Sequence, residues 1–372
     1  MTGHLLTLNA GSSSIKFALF ERHGDLTVPQ LTGKVEGIGQ GAGSTTHAKA
    51  LAQIMERVGS ARVVGVGHRI VHGGVKYAQP VRVNEAVLNG LTQLEPMAPL
   101  HQPHNLAGVR AAMSAFNGVT QVACFDTAFH ATQPAVNQRF ALPQALHDAG
   151  VRRYGFHGLS YESIMAQLEV QDPLLAQGRV VVAHLGNGAS LCAIHQGRSV
   201  ATTMSFSPLD GLTMGTRCGQ LDAAVVLYLL QARGMTAREI TTLLYRESGL
   251  LGLSGVSADM RVLEASSVPA AAAAITHFVE QIVQQLGRMA AALRGMDALV
   301  FTGGIGENAV ALRARIMADS AWLGLLPDAE ANQAGSQCIS AAGSPVSAWV
   351  IKTNEESVIA RHTSRVLQQA TN

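Results

Sequence analysis

The chain has 372 residues and a mass of 39.0 kDa, which implies two domains at roughly 150 residues each, or one large α/β unit. Hydrophobic residues make up 47% and charged residues 14%, which excludes a disordered chain, and 27 Lys plus Arg against 25 Asp plus Glu leaves no general basic character for nucleic acid. The longest apolar stretches, such as Ala223 to Leu230, fall far short of the ~20 residues of a bilayer span, and the N-terminus lacks a signal-peptide pattern. Four scattered cysteines, Cys124, Cys192, Cys218 and Cys338, form no Cys-x-x-Cys and read as buried thiols in a reducing cytosol. The expectation is a soluble, cytoplasmic, two-domain protein.

In chain order, Leu5 to Leu8 is an apolar run ending in Asn9-Ala10-Gly11-Ser12-Ser13-Ser14, and apolar character resumes at Ile15 to Phe20, the pattern of a hairpin. Residues 37–46, with Gly37, Gly39, Gly41 and Gly43, predict a surface loop. Arg62 to Gly67 predicts a strand leading into His68-Arg69-Ile70-Val71-His72-Gly73-Gly74, and Gln121 to Phe125 a strand delivering Asp126 at its C-terminal end. Half a chain length after the first hairpin, Val180 to Leu185, Gly186-Asn187-Gly188-Ala189-Ser190 and Leu191 to Ile194 repeat the strand, glycine-rich turn, strand unit. Ala270 to Leu293 carries Ile275, Phe278, Val279, Ile282, Val283 and Leu286 at helical spacing, with Gly295 as its stop. Ala298 to Thr302 is a further strand, delivering Gly303-Gly304-Ile305-Gly306. Strands alternating with helices predict layered α/β domains, and the recurrent hairpin predicts one copy of a duplicated architecture in each. The period is too long for a solenoid.

Three glycine-rich turns therefore end apolar strands: Asn9 to Ser14, Gly186 to Ser190, and Gly303 to Gly306. Without a Cβ, backbone N–H groups approach phosphate oxygens closely. Lys16 adds a point charge beside the first turn, or is a solvated strand-edge lysine. No Gly-x-x-x-x-Gly-Lys-[Ser/Thr] is present, nor a His-Arg-Asp kinase loop. Gly304-Ile305-Gly306-Glu307-Asn308-Ala309 formally fits the dinucleotide fingerprint Gly-x-Gly-x-x-Ala, which keeps an NAD-dependent oxidoreductase as a rival. Arg69 and Arg217 each lie beside glycine, a setting for forked recognition of carboxylate or phosphate, with a structural ion pair as the alternative. Asp126 and Glu355 are oxygen donors suited to Mg²⁺. The His68/His72 and His101/His104 pairs lack the partners of a zinc site. His157, in Tyr154-Gly155-Phe156-His157-Gly158, is either a capped loop residue or a donor aimed at a reacting phosphoryl group.

Together these segments resemble the acetate kinase family of short-chain carboxylate kinases. The matching stretches are Asn9-Ala10-Gly11-Ser12-Ser13-Ser14-x-Lys16, Gly67 to Gly74, Ala98-Pro99-Leu100-His101, Phe125 to His130 and Tyr154 to Gly158. They continue with His184 to Gly188, Pro208-Leu209-x-Gly211-Leu212-x-Met214-Gly215-Thr216-Arg217, Phe301 to Asn308, and Thr353-Asn354-Glu355-Glu356. The resemblance implies the fold of actin, sugar kinases and heat-shock ATPases: two duplicated ribonuclease H-like α/β domains around a nucleotide cleft, as residues 1–128 and 129–357, with a C-terminal helix from 358 to 372 returning to the first. It implies Asn9 and Glu355 as holders of Mg²⁺, with Mn²⁺ an alternative, and Ser12, Ser14 and Lys16 near the phosphates. His184, Leu185, Gly186, Asn187 and Gly188 would form a second phosphate loop. Gly304, Ile305, Gly306 and Asn308 would line the nucleotide pocket, with Asp259, Met260 and Arg261 beside the adenosine. Arg69 and Arg217 would clamp the carboxylate and the phosphoryl group, Asp126 would orient them, and His157 would donate to the equatorial oxygens. Val71, Leu100, Phe156 and Pro208 would line the methyl end of the acid.

The implied reaction is reversible, Mg²⁺-dependent in-line transfer from ATP to acetate, giving acetyl phosphate and ADP, by a homodimer. A propionate-preferring kinase is the nearest alternative, and a nucleotide-binding regulatory protein without catalysis a third. A carboxylic acid is already ionised at pH 7, so no general base is needed. The task is to bring one anion against another, and two arginines, a histidine and Mg²⁺ form a sufficient kit. Two departures from the family pattern stand out: Gln220 in Gly219-Gln220-Leu221-Asp222 replaces an acid, and Gly303 replaces a commoner alanine.

Overall fold

The structure, a computed structural model, describes residues 3–11, 14–38 and 45–369. Ser12 and most of the predicted glycine loop, residues 39–44, lie outside the described residues. The chain divides into two compact units: Met1–Ala131 with Phe156–Ser163 and Asn354–Asn372, and Thr132–Gly155 with Ile164–Thr353.

The first unit holds six strands: β1 (His4–Ala10), β2 (Ser14–Glu21), β3 (Leu31–Glu36), β4 (Val63–Ile70), β5 (Val81–Arg82) and β6 (Thr120–Phe125), in the sheet order β3-β2-β1-β4-β6-β5. The hairpin read from residues 5–20 is β1 and β2, in antiparallel register with Asn9 opposite Lys16. The strand expected to end at Gly67 runs on to Ile70, because β4 pairs in parallel with both β1 and β6 through that length. Thr46 caps the helix His47–Val58, its side chain accepting from the backbone N–H of Lys49. That helix buries Ala50, Leu51, Ile54 and Val58 in a core with Leu6, Leu8, Phe17 and Val66. The helix Glu355–Gln369 packs on β1, β4 and β6. Two glycines make the seat for it: a Cβ on Gly67 would stand 2.2 Å from Thr363 Oγ1, and one on Gly65 2.7 Å from Leu367.

The second unit contains β7 (Arg179–Leu185), β8 (Ala189–His195), β9 (Arg198–Thr202), β10 (Ala298–Thr302) and β11 (Ser347–Val350), ordered β11-β10-β7-β8-β9. Its topology repeats the first sheet. In each, an antiparallel three-strand meander is extended from its first strand by parallel strands, β4 and β6 in one, β10 and β11 in the other. The predicted long helix is Pro269–Leu293, with proline in its first turn. Its stop differs by one residue from the expectation, since Arg294 takes the left-handed position at φ 58° and Gly295 follows at φ 133°. Gly295 is required by contact: a Cβ there would meet Arg179 Nη1 at 2.0 Å. Arg179 in turn donates to the Arg294 carbonyl at 3.0 Å and pairs with Asp297 at 2.5 Å.

Among the cysteines, Cys124 and Cys192 are buried, but Cys218 is half-buried and Cys338 exposed, which corrects the expectation of four buried thiols. Cys338 lies in an irregular stretch that bonds to the edge of β11 through Gln337, Ile339 and a bridge to Trp349, and its own side chain faces outward beside Ser340.

Three histidines of the first unit are almost wholly buried: His68 at 2%, His72 at 0% and His130 at 2% exposure. Gln121 Nε2 donates to the Val119 carbonyl, so its Oε1 faces His68 Nε2 at 2.8 Å and requires the proton there. Burial pushes all three imidazoles down to about 4 from the ordinary 6.5. Because the folded value lies below the unfolded one, the unfolded chain binds protons that the folded chain refuses below pH 6.5. Their contribution is complete above pH 6.5 and is lost as pH falls toward 4, at ~1.4 kcal/mol per pH unit for each group. Urea unfolding at pH 7 and pH 5 should therefore give a markedly lower midpoint at pH 5, and His68→Gln should reduce the drop. Equal midpoints at the two pH values would contradict the buried neutral state.

Candidate active site

In the first unit, charged groups collect where β4 and β6 end. Arg69, the penultimate residue of β4, forks onto Asp126, which follows β6: Nε to Oδ1 is 3.0 Å and Nη2 to Oδ2 is 2.5 Å. Arg69 Nη1 also donates to Asn9 Oδ1 on β1 at 3.2 Å, and Glu355 Oε2 at the start of the C-terminal helix lies 3.9 Å from Arg69 Nε. Parallel pairing puts β1, β4 and β6 side by side with their C-terminal ends together, so residues at positions 9, 69 and 126 become neighbours. Burial alone would lower the Arg69 guanidinium, but the charges of Asp126 and Glu355 reverse this and hold it above its ordinary value. Burial pushes the Asp126 carboxyl up to about 6, while Arg69 pulls the other way. At neutral pH the pair is ionised, with the arginine 19% and the aspartate 1% exposed.

Asn105 fastens this end of the sheet, a role nothing in the sequence announced. Its Oδ1 accepts from the Val71 N–H at 2.9 Å and its Nδ2 donates to the Ala10 carbonyl at 2.5 Å. Ser14 opens β2 and its carbonyl accepts from the Gly11 N–H. Lys16 is exposed on β2 and borders a cavity with Lys34, Asn354 and Glu356. Val71 and Phe156 are buried, Leu100 half-buried. His157 adopts φ 59°, a left-handed conformation that a non-glycine residue rarely holds without reason. Its carbonyl accepts from the Tyr161 N–H as the first bond of the helix Gly158–Gln171, and the Gly158 N–H donates to the Asp126 carbonyl at 2.9 Å.

In the second unit, β7 and β10 are parallel neighbours, so the turn Gly186-Asn187-Gly188 and the stretch Gly303 to Asn308 emerge from the same sheet edge. The latter is a short helix, not the turn expected. It starts directly on the strand end, since Gly303 at φ 78° lies so close that a Cβ would meet the Leu185 carbonyl at 2.7 Å. Glu307 Oε1 accepts from the Gly303 and Thr353 N–H groups at 3.0 and 3.3 Å. A cavity of about 880 Å³ is lined by Gly186, Asn187, Asp259, Met260, Arg261, Gly304, Ile305 and Asn308, all expected, and by Ala258, Glu264 and Ala309, which were not. Asp259 caps the helix Met260–Glu264 and pairs with Arg261 at 2.6 Å, so this wall is internally braced. Leu185 and Gly306 are buried, and the Gly188 carbonyl accepts from the Gly186 N–H; His184 is half-buried, opposite Ser190. These four do not line the cavity.

Arg217 Nη1 donates to the carbonyl of buried Pro208 at 2.6 Å. Its loop touches the cavity wall through Gly215, whose N–H donates to the Asn187 carbonyl at 3.1 Å and whose Cβ, if present, would stand 2.2 Å from Asn187 Oδ1. The antiparallel meander of β7, β8 and β9 is foreign to a dinucleotide fold built on a mostly parallel sheet, so the oxidoreductase reading of Gly304 to Ala309 is not favoured.

Residues 4–361 match the Acetokinase family. An acetate kinase of Methylocella silvestris is 52% identical over an alignment that spans 99% of each chain. Among solved structures, an acetate kinase of Porphyromonas gingivalis is 35% identical with a TM-score of 0.87. A propionate kinase of Francisella tularensis is 34% identical with a TM-score of 0.92, and each of these two comparisons covers 98% of this chain and all of the other. The two sheets are those of a mixed α/β, actin-like fold.

Contact gives Gly158 its role: a Cβ there would stand 2.2 Å from the Asp126 carbonyl and 2.9 Å from Phe129 Cβ. Neither neighbour is a flexible tip. Gly158→Ala should lower the urea midpoint by the equivalent of about 1–3 kcal/mol, as overpacking does. An unchanged midpoint would mean that the Asp126 backbone yields freely.

Proposed function

We propose that this chain, which belongs to the acetokinase family, is an acetate kinase that transfers the γ-phosphoryl group of ATP to acetate, reversibly, giving acetyl phosphate and ADP. The observation that carries the chemistry is the Arg69 guanidinium, oriented by a fork onto buried Asp126 yet 19% exposed itself. A cation held this way is preorganised for a carboxylate or phosphoryl oxygen and needs no reorganisation when charge develops. The nucleotide would occupy the 880 Å³ cavity, whose volume lies within the range of small-molecule sites.

Asn9 Oδ1 and Glu355 Oε2 converge on Arg69, and both are hard oxygen donors that suit Mg²⁺, with Mn²⁺ as a substitute. The amide oxygen of Asn9 keeps a lone pair beyond the one that accepts from Arg69. When bound with ATP, the metal neutralises charge on the phosphate oxygens. Ser12, Ser14 and Lys16 in the first turn, and His184 to Gly188 in the second, would contact the phosphates, with Gly304, Ile305, Gly306 and Asn308 beside the nucleotide. Arg217 would hold the phosphoryl group in transit, its loop kept in register by the Gly215 bond to Asn187. His157 would donate to equatorial oxygens, and its left-handed backbone is the strain such a fixed orientation costs. Acetate arrives ionised, so these residues align and neutralise without abstracting a proton.

Val71, Leu100, Phe156 and Pro208 would leave a small apolar slot for the methyl group. One added methylene is worth only ~1–3 kcal/mol in such a slot, so propionate is expected as a poorer substrate and not an excluded one. The free thiols Cys124 and Cys192 agree with a reducing, ATP-rich cytoplasm as the site of action. Among the described residues no helix is long and apolar enough to cross a membrane.

We also propose a homodimer. The helix Ala223–Gln231 (AAVVLYLLQ) has no buried residue, and exposes Val225, Leu227, Tyr228 and Leu230 beside Leu221. An isolated helix of nine residues is marginal in water, and one this apolar is normally covered. A second copy would supply an identical apolar face, the self-complementary arrangement of a two-fold dimer. Light scattering of the parent should give twice the chain mass, and Leu227→Asp should give a monomer; a monomeric parent would remove this reading.

The enzymatic assay uses Mg·ATP with acetate, propionate or butyrate and traps acyl phosphate with hydroxylamine. Trapped product should be strongest with acetate and absent without Mg²⁺. Arg217→Ala should fold as the parent does yet lose roughly 10²–10³ in rate, the scale of one lost oxyanion donor. Turnover within a few fold of the parent would remove Arg217 from the mechanism, and no acyl phosphate from any acid would favour a nucleotide-binding protein without catalysis.

A further inference from the structure

Arg313 is 1% exposed and is the largest fully buried side chain among the described residues. It lies on the helix Val310–Asp319, and its hydrogen-bond acceptors among the described residues are all neutral. Nη1 donates to the carbonyls of Gly306 at 3.0 Å and Glu307 at 2.9 Å, while Nε donates to Asn332 Oδ1 at 2.9 Å and Nη2 to the Asn332 carbonyl at 3.4 Å. Among the described residues no carboxylate pairs with it. A buried guanidinium without an acid is costly, and an apolar side chain of similar volume would fill the space at less expense. Its contacts therefore point to what the carbonyls of residues 306 and 307 are needed for.

Those carbonyls belong to the end of the helix Gly303–Asn308, where four C=O groups normally lack partners. The Gly304 carbonyl accepts from Asn308 Nδ2 and the Ile305 carbonyl from the Ala309 N–H. Arg313 takes the next two, so the carbonyls of residues 304 to 307 all have donors. Asn332 extends the brace, its Nδ2 donating to the Val310 carbonyl at 3.0 Å. The same short helix supplies Gly304, Ile305 and Asn308 to the cavity. With six residues it cannot hold its own shape in water.

We propose that Arg313 is a positioning residue for the nucleotide: from behind the cavity wall it fixes the Gly306 and Glu307 carbonyls and thereby sets Gly304, Ile305 and Asn308 against the bound nucleotide. This rests on the assignment of the cavity to ATP and ADP. Only a planar fork reaches three carbonyls and an amide oxygen at once, so a lysine keeps the charge and loses the geometry.

The test compares the parent with Arg313→Lys and with Asn332→Ala, which removes one acceptor and leaves the arginine in place. Arg313→Lys should raise the KM for ATP on the order of tenfold or more, as small misplacements do, and weaken MgADP binding by calorimetry to match. The KM for acetate should not move. Asn332→Ala should shift the same two quantities by less, and decides the matter alone if Arg313→Lys does not fold. Parental KM for ATP in folded variants, or equal losses for ATP and acetate, would overturn the proposal. A parent that binds no MgADP would overturn the nucleotide assignment and this proposal with it.

Discussion

A buried carboxylate holds an arginine at the end of two parallel strands, and the first unit is organised around that pair. Removing one partner of a buried ion pair leaves an uncompensated charge, typically at a cost of about 3–5 kcal/mol, so neither Arg69 nor Asp126 is dispensable to its surroundings. Each neighbouring element is tied to them. β1 supplies Asn9 to the arginine, the C-terminal helix brings Glu355 within 3.9 Å, and the Gly158 N–H fixes the Asp126 carbonyl. The cluster of Asn9, Arg69 and Asp126 is thus built from the fold's own parallel pairing.

The second unit meets a different demand. Where the first concentrates charge, the second makes a cavity out of backbone, and glycine is its instrument. Gly303 allows a helix to start against the Leu185 carbonyl, and Gly215 lets the loop of Arg217 close on Asn187. Arg313 and Glu307, with Asn332 behind them, then hold the segment from Gly303 to Glu307 by their polar groups. Under the proposed function, the charged end of the first sheet would offset the anionic repulsion of phosphoryl transfer, while the cavity of the second unit combines glycine with Asn187, Asp259, Met260, Arg261 and Asn308.

The duplicated topology sharpens this contrast. β1-β2-β3 with β4 and β6 matches β7-β8-β9 with β10 and β11, strand for strand. The sequence carried a visible trace of this in the two apolar hairpins with glycine-rich turns. It carried no comparable trace of the equivalence of β6 and β11, since Thr120–Phe125 is six residues long and buried from Gln121 onward while Ser347–Val350 is four residues long and partly exposed. The stop of the long helix shows the same limit. Gly295 is the natural αL residue by composition, yet Arg294 takes that position at φ 58° and Gly295 follows at φ 133°, beside the Arg179 guanidinium.

What the sequence by itself determined was the inventory: α/β periodicity, a repeated hairpin, glycine-rich turns at the ends of apolar strands, and the arginines, aspartate and histidine in their motifs. The recurrence of the hairpin excepted, those features are read from residues close together in the chain. Only the tertiary structure decided which of them share a site, because parallel strands bring together residues 9, 69 and 126, which no local pattern links. It also supplied the residues that hold the others in place. Asn105 between Val71 and Ala10, Gly158 beneath Asp126, and Arg313 on Asn332 act through contacts made by the fold, so their residue types acquire a role only in their buried places.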